Sequence, residues 1–332
     1  MTDTTNNQKP AALHVAPGPH LQSSDHTTRK MMLDVIIALV PVIIVAIWVF
    51  KQFAAIQMGI CVVTCLVAEK AFMSIRGKKS TLGDMSAILT GLIIALSLPW
   101  NAPWHVGVIA SVIAMGFGKA IFGGIGFNLF NPAMVGRAFV MLAFSGALAA
   151  PAYVSNITQV IPDWTGATPL TAIKEGAINQ IPSIQALFIG NTAGSLGETS
   201  AIACLLGGFY LCVIRRTASW QIPVGIITAA AVICAIVYRS NPIMIANQIL
   251  GGALLFGAVF IATDPVTSPL TPKGKFIFGL GVGALIMMIR ELSAYPEGVM
   301  FAVLLMNAIT PLINKACIPV PFGGKPKPQP AK

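Results

Sequence analysis

The stretch Met31-Met32-Leu33-Asp34-Val35-Ile36-Ile37-Ala38-Leu39-Val40, continued through Pro41 to Phe50, holds one ionisable side chain in 20 positions. About 20 such residues, rising roughly 1.5 Å each as a helix, match the hydrocarbon thickness of a bilayer. Nine more apolar runs follow, at about residues 53–73, 85–99, 104–122, 132–149, 198–214, 220–238, 244–262, 275–290 and 297–314. Two of them, 85–99 and 275–290, are short, and several are interrupted by Gly or Pro. The pattern predicts an all-α polytopic membrane protein of about ten transmembrane helices. Composition agrees: 55% of the 332 residues are hydrophobic and 10% charged, against roughly 25% charged in soluble domains.

The net charge of +10 invites a nucleic-acid reading, but the basic residues flank apolar runs, as membrane orientation requires. No basic patch interleaved with aromatics occurs, so no nucleic-acid partner is expected. With the N-terminus inside, Lys9, Arg29, Lys30, Lys70, Arg76, Lys78, Lys79, Lys119, Arg137, Arg215, Arg216, Lys273, Lys275, Lys315, Lys325, Lys327 and Lys332 fall on the cytoplasmic side. Only Lys51, Lys174, Arg239 and Arg290 fall on the other. Seventeen against four fixes the orientation and supports the count of ten, because one missed span would scramble the asymmetry. Both termini are then cytoplasmic. Residues 1–30 read as a polar tail without a signal-peptide pattern and 315–332 as a second tail. Residues 31–149 form a first set of five spans and 198–314 a second, with 150–197 as an outer loop.

Two sets of five, an odd number, would be inverted relative to each other. Ile88-Leu89-Thr90-Gly91 running to Pro99 is echoed by Ile249-Leu250-Gly251-Gly252 running to Pro265. Such interrupted segments in corresponding positions point to a site at a repeat interface, though two Gly-rich helices would look the same.

Polar spots stand out against this background. Asp34 lies one turn into the first run, and Asp84 with Ser86 opens the third, where it also suits a helix cap. Gly123 to Pro132 is a Gly/Asn turn entering a helix with Pro132 near its first position. Ala262-Thr263-Asp264-Pro265 ends the eighth run with an acid that could cap structure or touch an ion or cofactor. Gly279 and Gly283 suit close helix packing. Arg290 and Glu291 suggest a local pair, and Glu198 suits the dipole at the start of the sixth run. The cysteines Cys61, Cys65, Cys204, Cys212, Cys234 and Cys317 lack the spacing of a zinc or iron–sulfur site and read as buried thiols. None of the four histidines sits mid-run, so haem ligation is not expected. No hydrolytic constellation and no metal-ligand set occurs, so no catalytic residue is assigned.

The largest polar island is Pro162-Asp163-Trp164-Thr165-Gly166-Ala167-Thr168-Pro169-Leu170. Thr168 follows two small residues and precedes a proline, so its hydroxyl is poorly shielded. By itself the stretch is also compatible with an ordinary Gly-Pro loop.

Thr165-Gly166-Ala167-Thr168-Pro169-Leu170 resembles the flavinylation motif of the Rnf and Nqr respiratory complexes. Asp84 to Gly91, Asn131-Pro132-Ala133-Met134, Ala262 to Pro265 and Tyr295-Pro296-Glu297-Gly298 resemble segments of their integral-membrane subunits, across nearly the whole chain from Lys30. The compact N-terminal region is closer to the D subunit of Rnf than to the B subunit of the sodium-pumping NADH:quinone reductase. The resemblance implies FMN held on Thr168 by a phosphoester that a separate flavin transferase builds on the outer side, with Gly166 and Ala167 leaving room for that enzyme and Thr165 supporting the local turn or the phosphate by hydrogen bonding. An unactivated hydroxyl is a weak nucleophile, which accounts for the enzyme. The family places an acid six residues before the modified threonine. Here Pro162 occupies that place and Asp163 stands five before, leaving its contact with the transferase open. A second, non-covalent flavin, riboflavin, is also implied, with Asn131 and Asp264 as candidate contacts. The implied partners are the other Rnf subunits, the transferase, the lipid bilayer and translocated Na⁺ or H⁺; the implied location is a bacterial or archaeal cytoplasmic membrane. The competing class is a solute channel of urea-transporter type, whose architecture the resemblance also implies. A covalent flavin separates the two.

Overall fold

The computed structural model describes residues 27–77, 81–148, 169–174, 183–190, 194–239, 241–293, 295 and 297–318. The stretch from Asp163 to Thr168, including Thr165, Gly166 and Ala167, lies outside the described residues, as do residues 1–26 and 319–332.

The described residues are helical, with no strand among them and one isolated antiparallel bridge, Pro99 to Ser195. In chain order, α1 spans Thr28–Phe50, α2 Gln52–Ile75, α3 Ser86–Ser97, α4 Trp104–Ile113, α5 Pro132–Ala143 and α6 Ser145–Leu148. Then come α7 Pro169–Lys174, α8 Ile184–Ile189, α9 Ala201–Phe209, α10 Gln221–Val237, α11 Pro242–Leu250, α12 Leu254–Phe256, α13 Pro272–Leu292 and α14 Val299–Ala316. Each apolar run of the sequence contains helix, but the runs do not become ten full-length helices. Among the described residues only α1, α2 and α14 are individually long and apolar enough to cross a membrane, and α11 with Leu254–Ile261, bent by 56°, would make a fourth.

The shortening has local causes. α4, α9 and α12 pass into π-helical turns at Ala114–Ala120, Tyr210–Ile214 and Gly257–Ile261. There the backbone bonds reach five residues, as from Ile121 N–H to the Gly116 carbonyl and from Ala262 N–H to that of Gly257. Such turns break the regular ladder and recur at functional sites. Between α11 and α12 the break falls at Gly251 and Gly252, the latter at φ +68°.

The tightest packing uses small residues. A Cβ on Gly279 or Gly283 of α13 would stand 2.5 Å from the Ile222 or Ile226 carbonyl of α10, and one on Gly225 2.9 Å from the Phe276 carbonyl. Backbones therefore approach to van der Waals contact, as small-residue crossings allow in lipid. α1 packs on α9 and α5 on α14. α1 turns Ile37, Ile44 and Trp48 outward and α2 turns Ile56, Val63 and Val67 outward, an apolar exterior suited to lipid.

The helix ends gather into two clusters. At one, Asp34 accepts from Arg215 at 2.9 Å, Arg76 donates to the Ala120 carbonyl, Lys275 donates to Ser219 and Leu270 N–H to Asn314. At the other, Phe50 stacks on Trp100, Gly197 N–H donates to the Leu96 carbonyl at 2.7 Å and Tyr238 donates to Glu291. α1 and α13 run from the first cluster to the second, which separates the two ends by the length of the helices.

Candidate functional site

At the first end the π-helical segments after α4 and α12, the chain at Thr217–Ala218 and the starts of α1, α3 and α5 surround a cavity with an empty volume of about 810 Å³, counting the space at its mouth. Its walls are mostly apolar, from Met32 and Val35 of α1, Leu89 and Ile93 of α3, and Phe260. Polar groups come from Lys119, Asn128, Asn131, Thr217, Thr263 and Asp264. Asn131 and Asp264, far apart in sequence and singled out from it, thus line one cavity.

Most of their polar atoms build the wall. Asn131 Oδ1 accepts from Ala133 N–H at 3.0 Å and Met134 N–H at 3.4 Å, the capping that its place before Pro132 predicts. Its Nδ2 donates to the Ile261 carbonyl at 3.3 Å, tying α5 to the π-turn that follows α12. Asn307 of α14, with its amide turned to satisfy both ends, accepts from Asn131 N–H at 3.1 Å and donates to the Val303 carbonyl. Asp264 accepts from Val266 N–H at 3.2 Å and from the Thr267 hydroxyl at 3.1 Å. Burial pushes the Asp264 carboxyl up, against the opposing pull of those two donors.

The groups left over are others. Asn128 Oδ1 and Thr217 Oγ1 are buried without a hydrogen-bond partner, and both residues line the cavity. A buried acceptor or hydroxyl without a partner costs about 1–3 kcal/mol, so the pair marks where a ligand's polar edge would be welcome. The sequence reading passed over both. Asn128 was within reach of it, as the other asparagine of the Gly/Asn turn.

Lys119 on the cavity wall is 2% exposed. Its ammonium donates to Glu69 Oε1 at 2.5 Å and to the Ser86 hydroxyl. Glu69, 1% exposed on α2, also accepts from Thr81 Oγ1 at 2.5 Å. Asp84 Oδ1 in turn accepts from the Ser86 hydroxyl at 2.6 Å and the Ser86 N–H at 2.9 Å, holding the first residue of α3, although the N-cap position itself is Met85. Glu69 escaped the sequence reading although it lies inside an apolar run, where an acid is a functional flag.

At the far end Arg290, 5% exposed, plays a comparable part. It donates to the Gln248 carbonyl at 2.6 Å and the Gly251 carbonyl at 3.4 Å, and pairs with Glu297 at 3.5 Å. This corrects the expected local pair: Glu291 instead accepts from Tyr238 at 2.7 Å. Glu198 is not at the helix start either, because α9 begins at Ala201 with Ser200 as its cap. Glu198 lies within hydrogen-bonding reach of Ser195 and Glu297, in the field of Arg137. Arg137, Lys119 and Arg290 therefore sit among helices rather than in flanking loops, and setting them aside leaves fifteen basic residues against three.

The sequence that builds this site has relatives. The family model described as "NQR2, RnfD, RnfE family" matches residues 14–323. The chain belongs to this family. Similar curated proteins include the D subunit of the Na⁺-translocating ferredoxin:NAD⁺ oxidoreductase complex of Acetobacterium woodii, 39% identical over 91% of this chain and 93% of the relative. The D subunit of an ion-translocating oxidoreductase complex of Halorhodospira halophila is 37% identical over 92% and 94%. That of the proton-translocating ferredoxin:NAD⁺ oxidoreductase complex of Clostridium ljungdahlii is 36% identical over 93% and 96%. A sodium-named and a proton-named relative are thus almost equally similar, and identity alone does not select the ion.

Proposed function

We propose that this chain is the D-type membrane subunit of an Rnf-type, ion-translocating ferredoxin:NAD⁺ oxidoreductase complex, binding flavin at two places. The cavity at the Lys119 end holds riboflavin non-covalently, and Thr168 carries FMN through a phosphoester at the opposite face. The flavins supply one- and two-electron chemistry when bound; the protein supplies place, polarity and exclusion of water.

One observation carries the cavity assignment. Two sequence-selected residues, Asn131 and Asp264, line a mostly apolar cavity in which Asn128 Oδ1 and Thr217 Oγ1 lack partners. A flat ring system needs apolar faces and a few edge contacts, which these walls offer. Leu89, Ile93 and Phe260 would cover the faces; Asn128 would accept from a ring N–H and Thr217 would bond to the ring or its hydroxylated chain. Lys119, charge-paired with Glu69, turns the positive end of a fixed ion-pair dipole toward that wall.

In the same reading the ten apolar runs are ten crossings in two inverted sets of five, the broken helices being the shorter ones. The contacts of α1 with α9 and α5 with α14 support this, since a two-fold axis brings like elements together. The cavity end is cytoplasmic and the α7 end outer, in line with the surviving charge asymmetry. The other Rnf subunits, a flavin transferase and Na⁺ or H⁺ are the partners this role requires.

Two measurements test it on complex purified from its native membrane. Acid extraction and chromatography should release riboflavin, and Asn128→Leu with Thr217→Val should remove it. In a denaturing gel the polypeptide should fluoresce under ultraviolet light, lose that signal in Thr168→Ala and keep it in Thr165→Ala. A dark band from cells that contain the transferase would favour a solute channel.

A further inference from the structure

α7, Pro169–Lys174, is six residues long, far too short to hold its shape alone in water. Contacts at the far end of the molecule hold it. Leu170 is 5% exposed. It lies against the break between α11 and α12, where a Cβ on Gly252 would collide with both the Leu170 side chain and the Glu297 carboxylate. That same position is 3.0 Å from an Arg290 guanidinium nitrogen, and a Cβ on Gly251 would be 3.9 Å from Leu170. The missing side chains leave a notch whose floor is the Arg290–Glu297 pair, and Leu170 fills it.

Lys174 closes the other end of α7. Its ammonium donates to the carbonyls of Arg290 at 3.3 Å, Tyr295 at 3.1 Å and Ser293. An ammonium has three protons, and here each finds a carbonyl at the C-terminus of α13 or just past it. A cation there also suits the negative end of the helix dipole. α7 is thus fastened at both ends to the turn that carries Arg290.

We propose that Leu170 and Lys174 are positioning residues for the covalent flavin, anchoring the chain that follows its attachment residue at the Gly251–Gly252 notch. The inference rests on the reading of Thr168 as the flavin attachment. Covalent geometry keeps Thr168 within about 7 Å of Leu170, Cα to Cα, whatever its conformation. A docked α7 therefore anchors the chain two residues past the tether, next to Arg290 and Glu297, and an undocked one releases that anchor.

The test uses intact complex carrying Leu170→Ala, Lys174→Met or the conservative Leu170→Met. Three quantities are read: in-gel flavin fluorescence, hydrogen exchange of the α7 amides by mass spectrometry, and the rate at which the covalent flavin is reduced per flavin present. Leu170→Ala and Lys174→Met should keep the fluorescence, exchange the α7 amides at least tenfold faster and reduce the flavin at least fivefold more slowly. Leu170→Met should restore wild-type values. Equal exchange in Leu170→Ala and wild type would overturn the docking, and faster exchange with an unchanged reduction rate would overturn the positioning role. A wild-type chain without covalent flavin would instead overturn the reading of Thr168, whatever the exchange shows.

Discussion

Glu69→Gln is the most informative single change. Glu69 Oε1 receives both the Lys119 ammonium and the Thr81 hydroxyl at 2.5 Å, and the two charged side chains are at most 3% exposed. Neutralising the carboxylate leaves a buried ammonium uncompensated, which costs about 3–5 kcal/mol. Scaled by the thermal response of domains somewhat smaller than this one, the midpoint should fall by roughly 6–20 °C. The chain carries its own reporter: Cys61, Cys65, Cys204 and Cys234 are free and buried, so a thiol-reactive dye follows unfolding in detergent. The double change Glu69→Leu with Lys119→Met should recover most of the loss, because apolar replacement of a whole buried pair is often neutral or stabilising. A Glu69→Gln variant that melts with the wild type, or a double variant as weak as the single one, would refute the reasoning that these charges depend on each other.

Other outcomes follow from the same geometry. Gly283→Leu should force α10 and α13 apart, since even a Cβ there reaches the Ile226 carbonyl; such overpacking costs about 1–3 kcal/mol or more, read as a lower melting midpoint. Asn131→Ala removes a helix cap and the link to Ile261, a loss of about 0.5–2 kcal/mol for the cap alone, measurable with the same dye. Asn128→Leu discards an amide whose buried oxygen has no partner, so stability should not fall while extractable riboflavin falls at least tenfold. That contrast between the two asparagines separates the group that builds the wall from the one that serves a ligand.

The helical class was legible because twenty-residue runs such as 31–50 admit no other partner for their backbone than themselves. The turn into α5 was legible for a similar local reason, as Asn131 and Pro132 carry their capping geometry with them. Helix length was not. Whether α4 continues as an α-helix past Ile113 or widens into a π-turn is decided by packing, and the run of apolar letters reads the same either way. Residues paired across the fold were equally hidden. Glu69 and Lys119 are 50 positions apart, and Arg290 passes over its neighbour Glu291 to reach Glu297. In the cavity, sequence found Asn131 and Asp264 by their motifs, whereas Asn128 and Thr217 matter for bonds they lack, a property only a fold can show.

The electron-transfer role turns on whether the loop before α7 carries a redox cofactor. Peptide mass mapping of residues 150–180 from natively produced complex decides it. That role predicts a peptide heavier by one flavin monophosphate, less water, with fragmentation placing the added mass on Thr168. A complete, unmodified peptide from cells that express the transferase would contradict it.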